Sequence, residues 1–403
     1  MFATLLVIVL AGLAGPLIAA GPRPLVPAVV GEIVAGAVLG RTGFGIIDPT
    51  TPANGFLYTL GFAMLMLVAG SHVQLGPALA SGARSAAVAF AVVVALALPA
   101  GVAIGAALAP SAPVALFPVL LAGSSAAVAF PILKERGLLG PQIALLIAWI
   151  PIADAVTVLI MPLTLIGAST IPSALAGDAL IVVATVVALA CGRRIGLNPW
   201  ALTLRDLSRS RGWALQLRIA LLLLIGLSLV ASQTGGSTLL AGFGAGLVLA
   251  RLQEPERLEV QLSGLAEGFF VPAFFVLLGA QLDFRALSAD PLAVLLALLL
   301  AAAAITIHLV AGRVATPRSW SAYGLAASAQ LGLPAAAASL GLATGSLSHS
   351  VAAAIVAAGC LTVLPASFGT RRLAAALSAE AEDAAAPNPA PAAPASGGSA
   401  ALP

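Results

Sequence analysis

Apolar stretches of about 20 residues follow one another from Phe2 to Thr370, parted by short loops, and that length is what a helix needs to cross a hydrocarbon core of about 30 Å. In lipid, the backbone N–H and C=O groups have no water to bond, so a spanning segment must satisfy them itself as helix or closed barrel. Runs this long and this apolar read as helices, and the expected fold class is an all-α polytopic membrane protein. Only 8% of the residues are charged and 61% are hydrophobic, where a soluble domain carries about 25% charge. The 41 Gly and 28 Pro fit spans that are interrupted or closely packed. Cys191 and Cys360 lie in or beside apolar stretches and read as small packing residues, not as a disulfide or metal pair. The first stretch has neither a positive leading region nor a clear cleavage site, so it reads as a true first span.

Cutting at Gly/Pro clusters and charges gives about thirteen spans, near 2–20, 25–43, 56–75, 85–108, 114–133, 142–166, 173–192, 214–232, 236–252, 265–282, 291–312, 320–343 and 349–370. Cytoplasmic loops of membrane proteins are enriched in Lys and Arg. Sixteen of the 18 basic residues fall in the odd-numbered connections and the C-terminal flank, and only Arg41 and Arg285 fall in the even ones. A missed or invented span would scramble that asymmetry. The N-terminus is therefore expected outside and the C-terminus in the cytoplasm of a multi-pass plasma-membrane protein. The longest polar loop, Arg193 to Trp213, follows the seventh span. Span 173–192 then links two six-helix units of opposite topology, an inverted repeat of the kind used by secondary transporters. Residues 373–403 read as a cytoplasmic tail, largely disordered, because from Ser378 onward the chain is mostly Ala, Pro, Gly and Ser.

One residue defies this apolar pattern. Asp154 lies in the middle of IALLIAWIPIADAVTVLIMPLTLIG, and a carboxylate at bilayer depth costs about 2.5–3.5 kcal/mol on insertion scales. Pro151 and Thr157 fall on the same helical face. Pro151 has no N–H to donate, so a carbonyl in the preceding turn loses its partner. Carboxylate, hydroxyl and free carbonyl are hard oxygen ligands for a small cation, which makes Asp154 the candidate metal ligand. The same carboxylate can carry a proton, and a group that holds either but never both exchanges one for the other. Span 5 carries Gly123-Ser124-Ser125 before Pro131, and span 12 carries Ser328-Ala-Gln330-Leu-Gly-Leu-Pro334. Helix breakers and small polar residues in late spans of both halves are the sequence pointer to a transporter site; either stretch alone is equally compatible with small-residue helix packing. His308, within span 11, reads as a buried structural histidine or a proton relay. Glu32, in span 2, is placed for gating, for structure or for transport, and Gln330 is a further candidate for a proton or gating role. His72 lies near the cytoplasmic end of span 3, and Glu267 and Asp283 mark the two ends of span 10. No phosphate loop, spaced metal-ligand cluster or nucleophile elbow occurs, so ATP-driven transport and enzymatic chemistry are disfavoured. No cofactor is expected, and the basic residues, confined to short loops, imply no nucleic acid.

These segments resemble the cation:proton antiporter-2 family of bacterial sodium/proton and potassium/proton exchangers, over residues 1–372. PAVVGEIVAGAVLG is similar to its P-x-x-x-G-E-x-x-x-G-x-x-x-G segment, LGFAMLMLVAG to its E-L-G-L-x-L-L-x-F-x-x-G-L-E segment, and SSAAVAFPILKERGLL to its broken fourth core helix. IADAV stands where the family carries its ion-binding Asp. AGFGAGLVLA and FFVPAFFVLLGAQLD also match. The resemblance implies two discontinuous crossing helices, a dimer-type domain (2–75 and 214–282), a core-type domain (85–166 and 291–370) and a homodimer with elevator-like alternating access. It implies Asp154 as the essential carboxylate, Ser124 and Ser125 at the first break, and Gln330 at the second. Four departures stand out, the first being Gln330-Leu331-Gly332 in place of the Arg-Gly-Glu-like signature of the second broken helix. Ala153 replaces the usual Asp, Asn or Gln; His308 stands where many members have Lys, Lys134 being the only Lys in the chain; and His72 replaces the Glu ending the third-span motif. The expected function is exchange of Na⁺ or K⁺ for protons across the bilayer, with Asp154, Thr157, Ser124 and Ser125 at the site. The alternatives are a transport-dead homologue serving as membrane sensor or assembly partner, and a transporter of another solute.

Overall fold

The computed structural model describes residues 2–20, 28–71, 77–126, 129, 133, 138, 143–166, 170–196, 198–251, 255–316 and 319–385. The described secondary structure is helical throughout. The order is α1 Phe2–Gly12, α2 Ala14–Ala19, α3 Ala28–Leu39, α4 Pro52–Ser71, α5 Pro77–Leu108, α6 Leu116–Ala122, α7 Ala144–Leu165, α8 Ile171–Gly196 and α9 Pro199–Arg211. It continues with α10 Leu215–Thr234, α11 Thr238–Arg251, α12 Pro255–Leu265, a π-helical turn Ala266–Phe270, α13 Val271–Gln281, α14 Phe284–Ala289, α15 Pro291–Ala315, α16 Trp320–Ala327, α17 Gly332–Ala343 and α18 His349–Ala385. Ten stretches are long and apolar enough to cross a membrane, and 28–39 and 238–250 are shorter apolar helices. Among the described residues the exact count of thirteen is therefore not reproduced. The fifth expected span is described only as α6, the break after it, and scattered helical positions beyond. His72 and Lys134 lie outside the described residues.

Lipid tails are as apolar as leucine, so helices in a bilayer associate through close packing and not through hydrophobic gain. Small residues supply the closeness. A Cβ on Gly36 of α3 would sit 2.0 Å from the Val276 carbonyl oxygen of α13, and one on Gly279 would sit 2.1 Å from that of Ile33. The two glycines thus let α3 and α13 touch backbone to backbone. The packing falls into two sets. In one, α4 lies on α11 and α13, α3 on α2 and α13, and α8 on α10 and α11; in the other, α5 lies on α6, α7 and α15, and α18 on α15, α16 and α17. In an apolar 18-residue window of 320–343, 78% of the residues are buried, against 22% in one of 82–108. The interrupted span is thus at the centre and α5 at the rim.

Two boundaries depart from expectation. The span expected at 265–282 begins at Val260, which brings Glu267 inside it, on the π-helical turn and exposed, rather than at its end. Pro272, just beyond, has no N–H to return to the preceding turn, and a π-turn is one way a helix absorbs such a gap. The last helix runs to Ala385, past Ser378, because the Ala- and Glu-rich stretch 374–385 favours helix. Of the expected tail, residues 386–403 fall outside the described residues.

Candidate functional site

Helix α7 carries Asp154 through the middle of the second packing set, against α5, α6, α16 and α17. Pro151 and Pro162 both lie inside it without ending it. Asp154 is 3% exposed and Thr157 is buried one turn on. The Thr157 hydroxyl donates to the Ala153 carbonyl at 2.7 Å and lies 3.2 Å from that of Asp154. Its proton is thereby committed to the helix, while its oxygen keeps lone pairs.

The two breaks meet beside this helix. α6 ends at Ala122, Gly123 turns extended (φ −70°, ψ 152°), and the chain resumes as helix at Ala126. Between α16 and α17, residues 328–331 leave the helix, with Leu331 at φ −142°. Each break frees backbone groups, and each satisfies some of the other's. Ser125 donates from its N–H to the Ala329 carbonyl at 2.8 Å. The Ser124 hydroxyl donates to the Ala327 carbonyl. Gln330 donates from Nε2 to the Gly123 carbonyl at 2.6 Å and approaches that of Leu121 at 3.4 Å. Its own N–H is taken by the Thr362 hydroxyl of α18 at 3.0 Å. Four of the sequence candidates, Ser124, Ser125, Thr157 and Asp154, therefore lie on one junction, with Gln330 bracing it.

Asp154 is tied to the junction directly. Its Oδ2 accepts the Ala126 N–H at 3.1 Å, the first amide of the helix that resumes after the break. Among the described residues this backbone amide, and no cationic side chain, is its hydrogen-bond partner. The described residues contain no cluster of three His, Cys, Asp or Glu side chains. A cation here would be held by one carboxylate with hydroxyl and carbonyl oxygens, a donor set suited to a hard monovalent ion and not to zinc. A cavity of about 10 Å³ opens beside Gln330, lined also by Leu300, Pro334, Gly359 and Thr362, on the scale of one water molecule.

The other candidates lie elsewhere. Glu32 is buried on α3 with its side chain over Gly15 of α2, in the first packing set, and is not brought to Asp154. His308 is fully buried; its Nδ1 bonds the Ala304 carbonyl at 2.8 Å and its ring stacks on Trp149 of α7 at 5.7 Å. It therefore touches the helix of Asp154, five residues before the carboxylate. One buried carboxylate had no place in the sequence expectations. Asp178, early in α8, is 3% exposed and accepts the Ser237 N–H at 2.7 Å just before α11 begins. The signal that could have found it is a carboxylate after Gly177 in an apolar helix.

The arrangement defines a polytopic helical membrane protein whose two interrupted helices join beside one buried carboxylate. The sodium/hydrogen exchanger transmembrane family model matches residues 5–376, and the chain belongs to that family, a transporter family and not an enzyme family. A curated relative, the high-affinity Na(+)/H(+) antiporter NhaS3 of Synechocystis, is 36% identical over 120 residues, 30% of this chain and 25% of that protein. The chain thus matches about a quarter of that relative's length. The sodium proton antiporter MjNhaP1 of Methanocaldococcus jannaschii has the same fold, with a TM-score of 0.64 over 93% of this chain and 98% of that one at 17% identity.

Proposed function

We propose that this protein exchanges a monovalent cation, Na⁺ or K⁺, for protons, with Asp154 as the shared site and alternating access moving that site between the two faces of the membrane. Family membership and the printed activities of the two similar proteins support antiport. The observation that carries the role of Asp154 is its place: a buried carboxylate at the junction of both breaks, bonded to a backbone amide. A buried negative charge without a fixed cationic partner has to be compensated, and either a proton or a small cation does so. Both cannot be held at once, so each cation admitted displaces one proton and the exchange is one-for-one and electroneutral. Thr157 and the oxygens of Ser124 and Ser125 are the neighbouring ligands. The packing set built from α5–α7 and α15–α18 is the moving core. The set built from α1–α4 and α10–α13 is the scaffold through which two copies pair. The charge asymmetry of the loops supports an N-terminus outside and a C-terminus in the cytoplasm of the plasma membrane.

The test is a proteoliposome assay with an imposed pH gradient, following internal pH on addition of Na⁺, K⁺ or Li⁺. Wild type is expected to move protons on addition of at least one of these cations, and Asp154→Asn is expected to move none. Absence of cation-dependent proton movement in the wild type would overturn the antiport reading. Movement that persists in Asp154→Asn would overturn the shared site while leaving antiport standing.

A further inference from the structure

Two side chains 308 positions apart in sequence tie the two packing sets together at one rim of the molecule. Arg41 follows α3, His349 opens α18, and Arg41 Nη1 lies 3.2 Å from His349 Nε2. A guanidinium has donors and no acceptor, so this contact is a hydrogen bond only while Nε2 keeps its lone pair. His349 is then neutral, with its proton on Nδ1. A protonated ring would set N–H against N–H and positive charge against positive charge.

Both partners are held through the backbone. The Arg41 N–H donates to the Ala280 carbonyl of α13 at 3.2 Å. Beside it, the Thr42 hydroxyl donates to the Leu282 carbonyl at 2.8 Å and accepts the Phe284 N–H at 3.0 Å. On the other side of the contact, Leu347 is buried and donates from its N–H to the Gly341 carbonyl of α17 at 3.1 Å. The Ser348 hydroxyl accepts the Val351 N–H at 3.3 Å in the first turn of α18. Arg41 is therefore fixed to α3 and α13, and His349 to α17 and α18. The contact spans the seam between the sets and lasts only while they keep this relation.

The surrounding charges leave His349 as the group that changes near neutrality. On the Arg41 side, the Asp48 carboxyl is held below its ordinary value by the Thr50 hydroxyl and N–H, with slight desolvation opposing and the Arg41 charge assisting. Asp48 is thus ionised whether or not His349 carries a second proton. It moderates the field of Arg41 in both states, and the clash of donors at Nε2 remains. The packed helices α3 and α13 hold one other charged group, Glu32, two turns back along α3. On the core side, α14 packs on α18 and carries the exposed Arg285. Its flanking carboxylates are engaged, Asp283 with the Ala286 N–H and Asp290 with those of Leu292 and Ala293. α16 and α17 carry no acidic or basic side chain. In α15, His308 and Arg313 lie in the later turns, and the first charge after His349 in α18 is Arg371.

We infer that Arg41 and His349 form a proton-released latch between scaffold and core, closed while His349 is neutral and opened when a proton from the water at that rim takes the Nε2 lone pair. The inference rests on the reading in which the second packing set moves against the first. Histidine changes charge between about pH 5 and 8, so the latch holds above that range and is lost as pH falls through it. Both residues are exposed, and the proton reaches His349 without passing through Asp154. Acidifying one face therefore frees the core to leave this conformation, a control separate from competition at the carboxylate. By the charge asymmetry of the loops, that face is the outer one.

Distance and transport are read separately. In a Cys191→Ala/Cys360→Ala background of the full-length protein, spin labels at Ala53→Cys on α4 and Ala343→Cys on α17, both exposed positions, report the separation of the two sets by double electron–electron resonance. Labelled chains are diluted with unlabelled ones, so that only distances within one chain are seen. Between about pH 8 and about pH 5, on either side of the histidine range, the wild type is expected to shift about fivefold from a short to a longer separation, the effect of one exposed like charge added at contact distance. His349→Gln, whose amide oxygen accepts from Arg41 at every pH, should stay short throughout. His349→Lys should be long throughout, and Arg41→Gln should lose the pH response. A wild-type distribution that ignores pH, or a shift that persists in His349→Gln, would overturn the latch whether or not the protein exchanges ions. In proteoliposomes, His349→Gln should alter the acid side of the exchange profile when pH is varied on the Arg41 face, and should match wild type when it is varied on the opposite face. An unchanged profile on the Arg41 face would overturn the latch as a control of exchange. A wild type that exchanges nothing would sink the antiport reading instead, and the distances would still decide the latch.

Discussion

The side-chain amide of Gln330 donates to the Gly123 carbonyl at 2.6 Å, joining two helix interruptions that stand 207 residues apart in sequence. A break in a membrane helix leaves carbonyls that water cannot reach, and here one amide serves the break in the other half of the protein. Gln330→Leu keeps the volume and removes the donor. Leaving buried acceptors unpaired costs about 1–3 kcal/mol, so the variant is expected to unfold at a lower temperature in detergent than wild type. An unchanged midpoint would show that the brace contributes nothing.

Asp154→Asn is expected to have the opposite effect on stability. An amide oxygen at the same place still accepts the Ala126 N–H, and no charge is buried. The variant should fold with a midpoint equal to or above that of wild type. Cation linkage should separate them. A ligand that binds only the folded form adds about 2.7 kcal/mol at a hundred times its dissociation constant. Wild type should thus gain stability with Na⁺ or K⁺, and more so at alkaline pH, where fewer protons compete. Asp154→Asn should stay flat in the same titration; a matching rise would place the cation elsewhere.

How much of this was legible in the sequence follows from which forces are local. Asp154 stood out because an apolar helix gives a carboxylate no local partner, and Gly123, Pro131 and Pro334 marked breaks because they act on their own backbone. What the breaks do to each other was not legible. The bonds from Ser124 to Ala327 and from Ser125 to Ala329 depend on how distant helices are stacked, and no periodicity encodes that. Glu32 was open in sequence to a gating, structural or transport role, and its place over Gly15 in the other packing set depends on helix stacking in the same way. Asp178 was not legible for the same reason: its burial and its bond to the Ser237 N–H come from how the start of α11 stacks on α8.

Gly36 and Gly226 make a matched pair for testing close packing. A Cβ on Gly36 would lie 2.0 Å from a backbone oxygen of α13, whereas one on Gly226 of α10 would meet nothing within 4 Å. Gly36→Ala should force α3 and α13 apart and destabilise by about 1–3 kcal/mol, the range for overpacked cores. Gly226→Ala should be neutral or stabilising by up to about 1 kcal/mol through helix propensity. Unfolding midpoints in one detergent compare the two, and equal effects would refute the packing argument.

Asp178 offers a test of the link between α8 and α11. Its Oδ1 accepts the Ser237 N–H, one of the amides that a helix start leaves without an internal partner. Asp178→Asn retains an acceptor, while Asp178→Ala removes it and should cost about 0.5–2 kcal/mol, the range for a lost N-cap. The order of midpoints is expected to be wild type and Asn together, Ala below. Asn falling with Ala would mean that the charge matters and not the acceptor.

His308 decides whether Asp154 works alone. The ring stacks on Trp149 of α7 with 13° between planes, its Nδ1 bonds the Ala304 carbonyl, and its Nε2 has no hydrogen-bond partner among the described residues. The Nδ1 bond fixes the neutral tautomer with a lone pair on Nε2, which is either an idle acceptor or a second place for a proton. His308→Phe keeps the stacked ring and removes both nitrogens. The Ala304 carbonyl lies within the continuous helix α15, whose ladder supplies it with a partner, so losing Nδ1 leaves nothing stranded. With Asp154 as the single shared site, His308→Phe should exchange cations for protons with the wild-type pH profile, and its unfolding midpoint should stay level or rise. A shifted pH profile at unchanged stability would instead give His308 a proton in the cycle. The exchange would then no longer be one-for-one, and proton movement in the variant would become insensitive to membrane potential where that of the wild type was not.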